Sequence, residues 1–97
     1  MSHQEILKTL GQNRTVIKRY GVRRLGLFGS ASRGEDTAGS DLDFIVDLEK
    51  KTFDNYMGLK LELEDMFRRK VDLVLEASLK SRLRESVERD VLYVEGL

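Results

Sequence analysis

A polar segment between two apolar runs constrains this chain more than any other feature. The run that ends at Phe28 leads into a turn-rich stretch, and the run that begins at Phe44 follows a pair of carboxylates. Short apolar runs bounded by glycine and polar residues are typical of buried strands. The pattern therefore predicts two neighbouring strands joined by a flexible, hydroxyl-bearing connection, which contains Gly29-Ser30-Ala31-Ser32-Arg33-Gly34 and Ser40-Asp41-Leu42-Asp43.

Length and composition narrow the class of protein. The chain has 97 residues, 40% hydrophobic and 35% charged, so we expect one globular domain over residues 1–97. Since 17 basic residues balance 17 acidic ones, we expect no direct binding to nucleic acid, which usually needs a strongly basic domain. Cysteine is absent, which excludes disulfides and thiolate chemistry and fits a cytoplasmic location. No apolar run approaches the ~20 residues of a membrane span, so no membrane association is expected.

The hydrophobic periodicity predicts an α/β (α+β) fold, in which a small mixed β-sheet is flanked by helices. The apolar triplet 44–46 predicts that the second strand is central and buried on both faces. Ser78 is the expected N-cap of the last helix. The predicted elements are a helix from about Gln4 to Arg19, strands Arg24–Phe28 and Asp41–Leu48, a helix Phe53–Arg69, a strand Val71–Leu75, a helix Ser78–Arg89 and a strand Val91–Val94.

The aspartates of the second strand indicate a metal site. Side chains two residues apart on a strand lie on the same face, so Asp41 and Asp43 are expected to project together. Carboxylates this close repel each other unless a cation lies between them, and Mg²⁺ prefers carboxylate and phosphate oxygens. Asp72, at the start of the third strand, adds a third carboxylate if that strand pairs with the second. Three carboxylates suit a phosphoryl-transfer site in which two metal ions clamp the attacking and leaving oxygens.

The turn before these aspartates has the composition of a phosphate-binding loop. Gly29 and Gly34 permit a close approach of the backbone to phosphate. The hydroxyl of Ser30 can hydrogen-bond a phosphate oxygen. The segment therefore offers a phosphate site directly beside the predicted metal site.

The charged residues of the turn leave the role of Arg33 open and exclude a P-loop. Arg33 either neutralises phosphate or pins the turn by pairing with Glu35 or Asp36, and the sequence does not decide between these roles. A P-loop requires lysine and then serine or threonine directly after its last glycine, where this chain has the two acidic residues. A Gly-x-Gly-x-x-Gly pattern is also absent, which argues against a dinucleotide-binding fold.

The motif consists of the glycine turn and the Ser-Asp-x-Asp segment. Together they indicate a function more specifically than either does alone, because Asp-x-Asp by itself is common and a serine before it is often a turn residue. The joint motif resembles the signature of the DNA polymerase β-like nucleotidyltransferase superfamily. Because the chain is short, it most resembles the minimal nucleotidyltransferase (MNT) antitoxins of HEPN/MNT toxin–antitoxin pairs. The residues that carry the resemblance are Gly29-Ser30-x-x-Arg33-Gly34, five further residues, and Ser40-Asp41-x-Asp43.

The resemblance implies a set of roles. The family's metal-binding and catalytic aspartates correspond to Asp41, Asp43 and Asp72, which implies two Mg²⁺ ions. The family's glycine–serine pair binds nucleotide phosphates, which implies Gly29 and Ser30. The substrate implied is ATP, with AMP transferred to a tyrosine of a cognate HEPN ribonuclease toxin, which silences the toxin within a hetero-oligomer. The remaining candidates for nucleotide contacts in the motif are Arg33, Gly34 and Ser40.

Two other functions stay open at this point. The domain could neutralise a partner by masking it without catalysis, or it could transfer nucleotides to a small molecule or an RNA end. The last helix also has two readings, since its exposed part is either a solvated face or a partner surface. The charged residues of that part are Lys80, Arg82, Arg84, Glu85 and Glu88.

Overall fold

The structure, a computed structural model, describes residues 1–37 and 39–97. Within these residues the helices are α1 (His3–Gln12), α2 (Arg14–Lys18), α3 (Phe53–Phe67) and α4 (Ser81–Asp90). The strands are β1 (Val22–Phe28), β2 (Leu42–Leu48), β3 (Val71–Leu75) and β4 (Leu92–Tyr93). Short 3₁₀ turns, Ser30–Arg33 and Glu76–Ser78, follow β1 and β3.

The strands form one mixed sheet in the order β3-β2-β1-β4. The β1 strand is antiparallel to both β2 and β4, whereas β2 and β3 run parallel. A parallel pair requires a crossover connection, and α3 provides it. The predicted mixed sheet flanked by helices is confirmed, and so is the central position of β2.

Alternation along β2 gives the sheet two different faces. Leu42, Phe44 and Val46 point to one face and are almost completely inaccessible to solvent. There the rings of Phe44 and Phe67 stack with their centroids 6.0 Å apart. Burial of each such side chain stabilises the fold by roughly 1.5–3 kcal/mol, so this face is the main core. Its other members from the helices include Ile6, Leu10, Ile17, Leu59 and Leu63.

The opposite face is covered more lightly. By alternation and strand register it carries Asp43 and Ile45 of β2 together with Asp72 and Val74 of β3. The helix α4 lies over this face, and Val87 is the only residue that α4 buries. The lighter cover leaves room for a site on this side of the sheet.

The first predicted helix is divided in the structure. Instead of running from about Gln4 to Arg19, it ends at Gln12, and α2 begins at Arg14. Between them the Asn13 backbone is non-helical, and its side-chain Nδ2 donates to the carbonyl of Thr9 at 2.8 Å. Asparagine competes with helical hydrogen bonding in this way, which explains the break.

The ends of the later elements also differ from the predictions. The α4 helix begins at Ser81 and not at Ser78, because Glu76–Ser78 form a 3₁₀ turn and Lys80 occupies the N-cap position. The prediction of Ser78 as the N-cap was therefore wrong. The α3 helix ends at Phe67, since Arg68 adopts a left-handed conformation with φ of 54°. The predicted bounds of β3 are confirmed.

None of the helices among the described residues combines the length and the apolar composition that a membrane crossing needs.

Gly26 of β1 is a site where the packing can be tested. A Cβ atom there would lie 2.5 Å from Cγ2 of Val91 and 3.0 Å from Cδ1 of Tyr93. We expect Gly26→Ala to lower the free energy of unfolding by about 1–3 kcal/mol, because the C-terminal segment must shift away from β1. Chemical denaturation measures this change.

Gly11→Ala is the matched control for the Gly26 variant. Gly11 lies in α1, and an added Cβ would meet only the end of the Arg14 side chain, 3.3 Å from its Nη2. Alanine favours helix over glycine by up to about 1 kcal/mol, so this variant should gain stability or stay unchanged. A Gly26→Ala protein as stable as the wild type would contradict the packing described.

Candidate functional site

Two carboxylates lie side by side at one edge of the sheet. In the parallel pairing of β2 with β3, Asp43 is the register partner of Asp72. Each is the second residue of its strand, so both lie at the same edge. The third strand therefore pairs with the second, which was the condition for Asp72 to join the other carboxylates. Asp41 is exposed and stands immediately before β2.

The glycine turn lies directly against this pair. Phe28, the last residue of β1, is the register partner of Asp43, so Gly29 emerges beside the aspartate. Gly29 has φ of 72° and ψ of −157°, a conformation that side chains disfavour. A Cβ atom on Gly29 would collide with Oδ2 of Asp43. Both the backbone conformation and the space therefore require glycine here.

The rest of the turn is held by its own hydrogen bonds. Ser30 begins the 3₁₀ turn, and Gly34 ends it in the left-handed conformation with φ of 73°. Ser32 is buried, and its Oγ donates to the carbonyl of Gly29 at 2.7 Å. Ser32 thus closes the turn from inside, a role that the sequence analysis did not assign. Any serine two or three residues after a turn glycine could do this, but many do not, so the signal was weak.

Arg33 is engaged with acidic residues in this structure. Its Nη1 lies 2.7 Å from Oδ2 of Asp90 at the end of α4, and its Nε lies 3.1 Å from Oε2 of Glu35. Of the two turn partners considered, Glu35 is therefore the one that Arg33 contacts. The pair with Asp90 links the turn to α4, and the sequence contained no signal for it.

Ser40 stabilises the loop that leads into β2. Its Oγ accepts a hydrogen bond from the backbone N–H of Thr37 at 3.0 Å and lies 2.9 Å from the Thr37 Oγ1. These are the bonds of a turn-forming serine. A nucleotide contact by Ser40 stays a prediction, as do the contacts predicted for the other motif residues.

Negative charge accumulates around the carboxyl group of Asp43. Burial raises the pKa of the Asp43 carboxyl, and the negative charges of Asp72 and then Asp41 raise it further, whereas Arg33 opposes the shift. The pKa moves in this direction because a second and third negative charge destabilise the ionised form. Asp72 and Asp41 therefore both act on the Asp43 carboxyl, and a cation bound beside it would offset their repulsion.

The residues fit a Mg²⁺ ion that also contacts substrate. Within residues 1–37 and 39–97, no group of three or more His, Cys, Asp or Glu side chains could hold a metal ion. Mg²⁺ usually takes one or two carboxylates and completes its shell with water and substrate phosphates, so a complete protein cage is not required. One or two of the predicted ligands, which are Asp41, Asp43 and Asp72, would hold it at a time, beside a glycine turn that leaves the Asp43 carboxylate uncovered. Their role as metal ligands stays a prediction.

A cleft of about 540 Å³ opens next to the carboxylates. Its sheet side begins at Gly29 and Asp72, and its outer wall is α4. Arg33 stands between the two walls, since it lines the cleft and contacts Asp90 of α4. The volume lies within the ~300–1,000 Å³ usual for small-molecule sites.

Arg69 holds the connection between the two halves of the motif. Its Nη1 lies 2.9 Å from Oδ2 of Asp36, and its Nη2 donates to the carbonyl oxygens of Ser40 at 2.7 Å and Thr37 at 3.0 Å. The ion pair is largely buried, with side-chain exposures of 12% and 7%. Arg69 therefore positions the segment from which Asp41 projects.

This role of Arg69 was not predicted from the sequence. The predicted helix Phe53–Arg69 included Arg69 as its last residue. In the structure the chain leaves the helix before Arg69, and the side chain turns back toward the loop. A run of basic residues at a helix end gives no indication of which one reaches a loop about thirty positions earlier.

Comparison with known proteins gives consistent similarities. The profile of the family described as nucleotidyltransferase domain matches residues 5–94. Over 78 residues the chain is 42% identical to protein adenylyltransferase MntA of Thermococcus cleftensis, with 79% of each chain covered. A solved structure provisionally described as a minimal nucleotidyltransferase is 35% identical, with a TM-score of 0.81 and 95% of each chain covered.

A more distant similarity concerns the fold alone. A chain from the complex of a tri-AMPylated Shewanella oneidensis HEPN toxin with an MNT antitoxin superposes with a TM-score of 0.64 at 20% identity. The match covers 94% of the present chain and 73% of the other. It shows that the architecture is shared.

Two neighbouring arginines allow a test of the loop contact. We expect Arg69→Lys to lower the free energy of unfolding by about 2 kcal/mol, since lysine cannot reproduce the planar fork that reaches a carboxylate and two carbonyls. Arg68→Lys is the matched control, because Arg68 is exposed. Thermal or chemical unfolding measures the stability of both variants. Equal stabilities would contradict the role assigned to Arg69.

Asp43→Asn should raise the melting temperature of the metal-free protein by a few degrees at neutral pH. The folded-state pKa of Asp43 lies above its unfolded value, so its charge costs stability as the pH rises through the folded pKa. The advantage of asparagine should therefore shrink near the unfolded pKa of about 4. Thermal unfolding in a chelator at both pH values measures it.

Asp47→Asn serves as the control for that variant. Asp47 lies in the same strand and on the same face, but its register partner is Arg24 and not a second aspartate. No gain in melting temperature is expected from it. If Asp43→Asn also brought no gain, the repulsion among the three aspartates would not be significant.

Proposed function

Because this chain belongs to the nucleotidyltransferase domain family, we propose that it is an antitoxin that transfers AMP from ATP to a tyrosine hydroxyl of a cognate HEPN toxin and so neutralises it. The observation that carries the proposal is the position of Asp43 and Asp72 in register beside the Gly29 turn. A carboxylate pair next to an open phosphate turn suits nucleotidyl transfer.

The similar proteins support both parts of the proposal. The relative from Thermococcus cleftensis carries the name protein adenylyltransferase, which concerns the reaction. The complex from Shewanella oneidensis pairs an MNT antitoxin with an AMPylated HEPN toxin, which concerns the partner. The hetero-oligomer and the cytoplasmic setting belong to the same proposal.

The reaction assigned to the site balances as an in-line displacement. The acceptor hydroxyl oxygen forms a bond to the α-phosphorus of ATP, the bond from that phosphorus to the bridging oxygen breaks, and pyrophosphate leaves. When bound by Asp41, Asp43 and Asp72, Mg²⁺ supplies neutralisation of the charge on the triphosphate and on the reacting oxygens.

The chain's own residues bind the phosphates and accept the proton of the acceptor hydroxyl. The Gly29 backbone leaves space for phosphate beside the carboxylates, and the Ser30 hydroxyl can donate to a phosphate oxygen. Asp72 is exposed and lines the cleft, so it is the carboxylate best placed to accept the proton of the acceptor hydroxyl. Arg33 contacts Asp90 through Nη1 and Glu35 through Nε, so a phosphate would compete with these two carboxylates for the guanidinium.

The test uses ATP labelled at either the α or the γ phosphate. The purified protein is incubated with labelled ATP, Mg²⁺ and the product of the adjacent gene. The proposal expects label on that partner from α-labelled ATP only, because AMP is transferred and the γ-phosphate leaves in pyrophosphate. A tight complex without label would instead support masking of the partner, and label on RNA or a small molecule would identify another acceptor.

Asp41→Asn combined with Asp43→Asn should reduce labelling of the partner below detection while the protein stays folded. The expected loss follows from the removal of two of the three carboxylates assigned to the metal. The rate of label transfer at saturating ATP measures the effect, and circular dichroism checks the fold.

The matched control removes the same number of charges elsewhere. Asp54→Asn combined with Asp65→Asn changes two exposed aspartates of α3, which lie outside the site. This protein should label the partner at the wild-type rate. Persistent labelling by the Asp41 and Asp43 double variant would contradict the mechanism.

A further inference from the structure

We propose that the cleft between the sheet and α4 binds the base and ribose of the nucleotide, and that Leu83 is the principal apolar contact. The inference rests on the proposed function, because it extends the same site from the phosphates to the nucleoside. It concerns residues that lie outside the Gly-Ser and Asp-x-Asp motif.

The cleft is continuous with the phosphate turn and the carboxylates. Gly29, Arg33 and Asp72 belong to the candidate site and also line the cleft. These three residues mark one end of the cleft, and both walls extend away from it. On the sheet side, β3 passes from Asp72 to Val74. On the other side, the last residue of α4, Asp90, contacts Arg33, so the first half of α4 lies farther from this end. A ligand anchored at Gly29 by its phosphates would therefore extend toward the first half of α4.

Apolar side chains line the cleft from its phosphate end to the start of α4. Leu83 lies seven residues before Asp90, which corresponds to about 10 Å along an α-helix. The side chains of Phe28 and Val74 line the sheet side, and those of Leu79, Leu83 and Val87 line the opposite side. Flat apolar ligand groups bind between such walls.

Leu83 has no evident structural role. It is 50% exposed, although it belongs to the apolar stripe of its helix, and α4 buries only Val87. A half-exposed leucine that lines an open cleft beside a phosphate site is explained if a ligand covers it. The bare side chain would then be a binding contact and not a defect of packing.

The polar groups of the cleft suit a nucleotide as well. The hydroxyls of Ser78 and Ser86 line it and can orient a base by hydrogen bonds. Lys80 and Arg82 stand at the start of α4 and give the cleft positive charge, which attracts an anionic ligand. The end of the cleft assigned to the nucleoside thus has apolar walls and hydroxyls, and its two cations act there by attracting an anionic ligand from a distance.

The test compares two ligands that share phosphates but not the nucleoside. Isothermal titration of the full chain with ATP and with inorganic tripolyphosphate, each with Mg²⁺, separates phosphate binding from base binding. We expect Leu83→Ala to weaken ATP binding roughly tenfold, from the lost burial of the leucine side chain, and to leave tripolyphosphate binding unchanged. Leu83→Met, which conserves volume, should bind ATP nearly as the wild type does.

Leu61→Ala is the matched control. Leu61 is 58% exposed on α3 and is not among the residues that line the cleft, so both affinities should stay at the wild-type value. Thermal unfolding of the two alanine variants checks that neither loses its fold. Because both leucines are largely exposed, little change in stability is expected.

The outcomes separate this inference from the proposed function. If Leu83→Ala binds ATP like the wild type, the base lies elsewhere and the inference is overturned, while α-label transfer to the partner would still support the proposed function. If Leu83→Ala keeps ATP affinity but loses transfer, the cleft receives the acceptor segment of the partner, which also overturns the inference. If the wild-type chain binds tripolyphosphate and ATP equally well, the cleft contributes nothing and the inference fails.

Discussion

The site depends on one unfavourable interaction, the repulsion between carboxylates held in register on adjacent strands. The parallel pairing of β2 and β3 fixes Asp43 beside Asp72, and neither backbone can move without loss of the ladder. Burial and the neighbouring charges raise the pKa of Asp43. The absence of a side chain at Gly29 leaves that carboxylate uncovered. The fold thus maintains an excess of negative charge where we propose that a cation binds, at a cost that the core offsets elsewhere.

The division of the sheet into two faces makes this possible. Leu42, Phe44 and Val46 anchor β2 in the main core, while Asp43 projects from the same strand to the other face. That face is covered by α4, which is attached through Val87 and through the ion pair between Arg33 and Asp90. One side of the strand contributes to the core and the other carries the candidate site, so exchange of the aspartates for asparagine leaves the core side chains in place.

Much of the fold could be predicted from the sequence because its signals are local. The alternation in β2, the apolar run of β3 and the stripe of α3 each reflect a periodicity that a few consecutive residues define. The positions where the prediction was wrong are also local in cause. Asn13 interrupts the first helix through its own side chain, and a 3₁₀ turn delays the start of α4 beyond Ser78. Propensity alone does not resolve such competitions within a single turn.

The sequence by itself determined the motif residues and their order: a glycine turn, two aspartates on one strand, and a third aspartate at the start of a later strand. The tertiary structure alone decided that β3 pairs with β2 in the register that aligns Asp72 with Asp43, that Arg69 holds the loop before Asp41, and that a cleft opens under α4. The physical reason is the range of the interactions. Periodicity and turn chemistry act over a few residues, whereas strand register and the reach of an arginine side chain depend on which distant segments the core brings together.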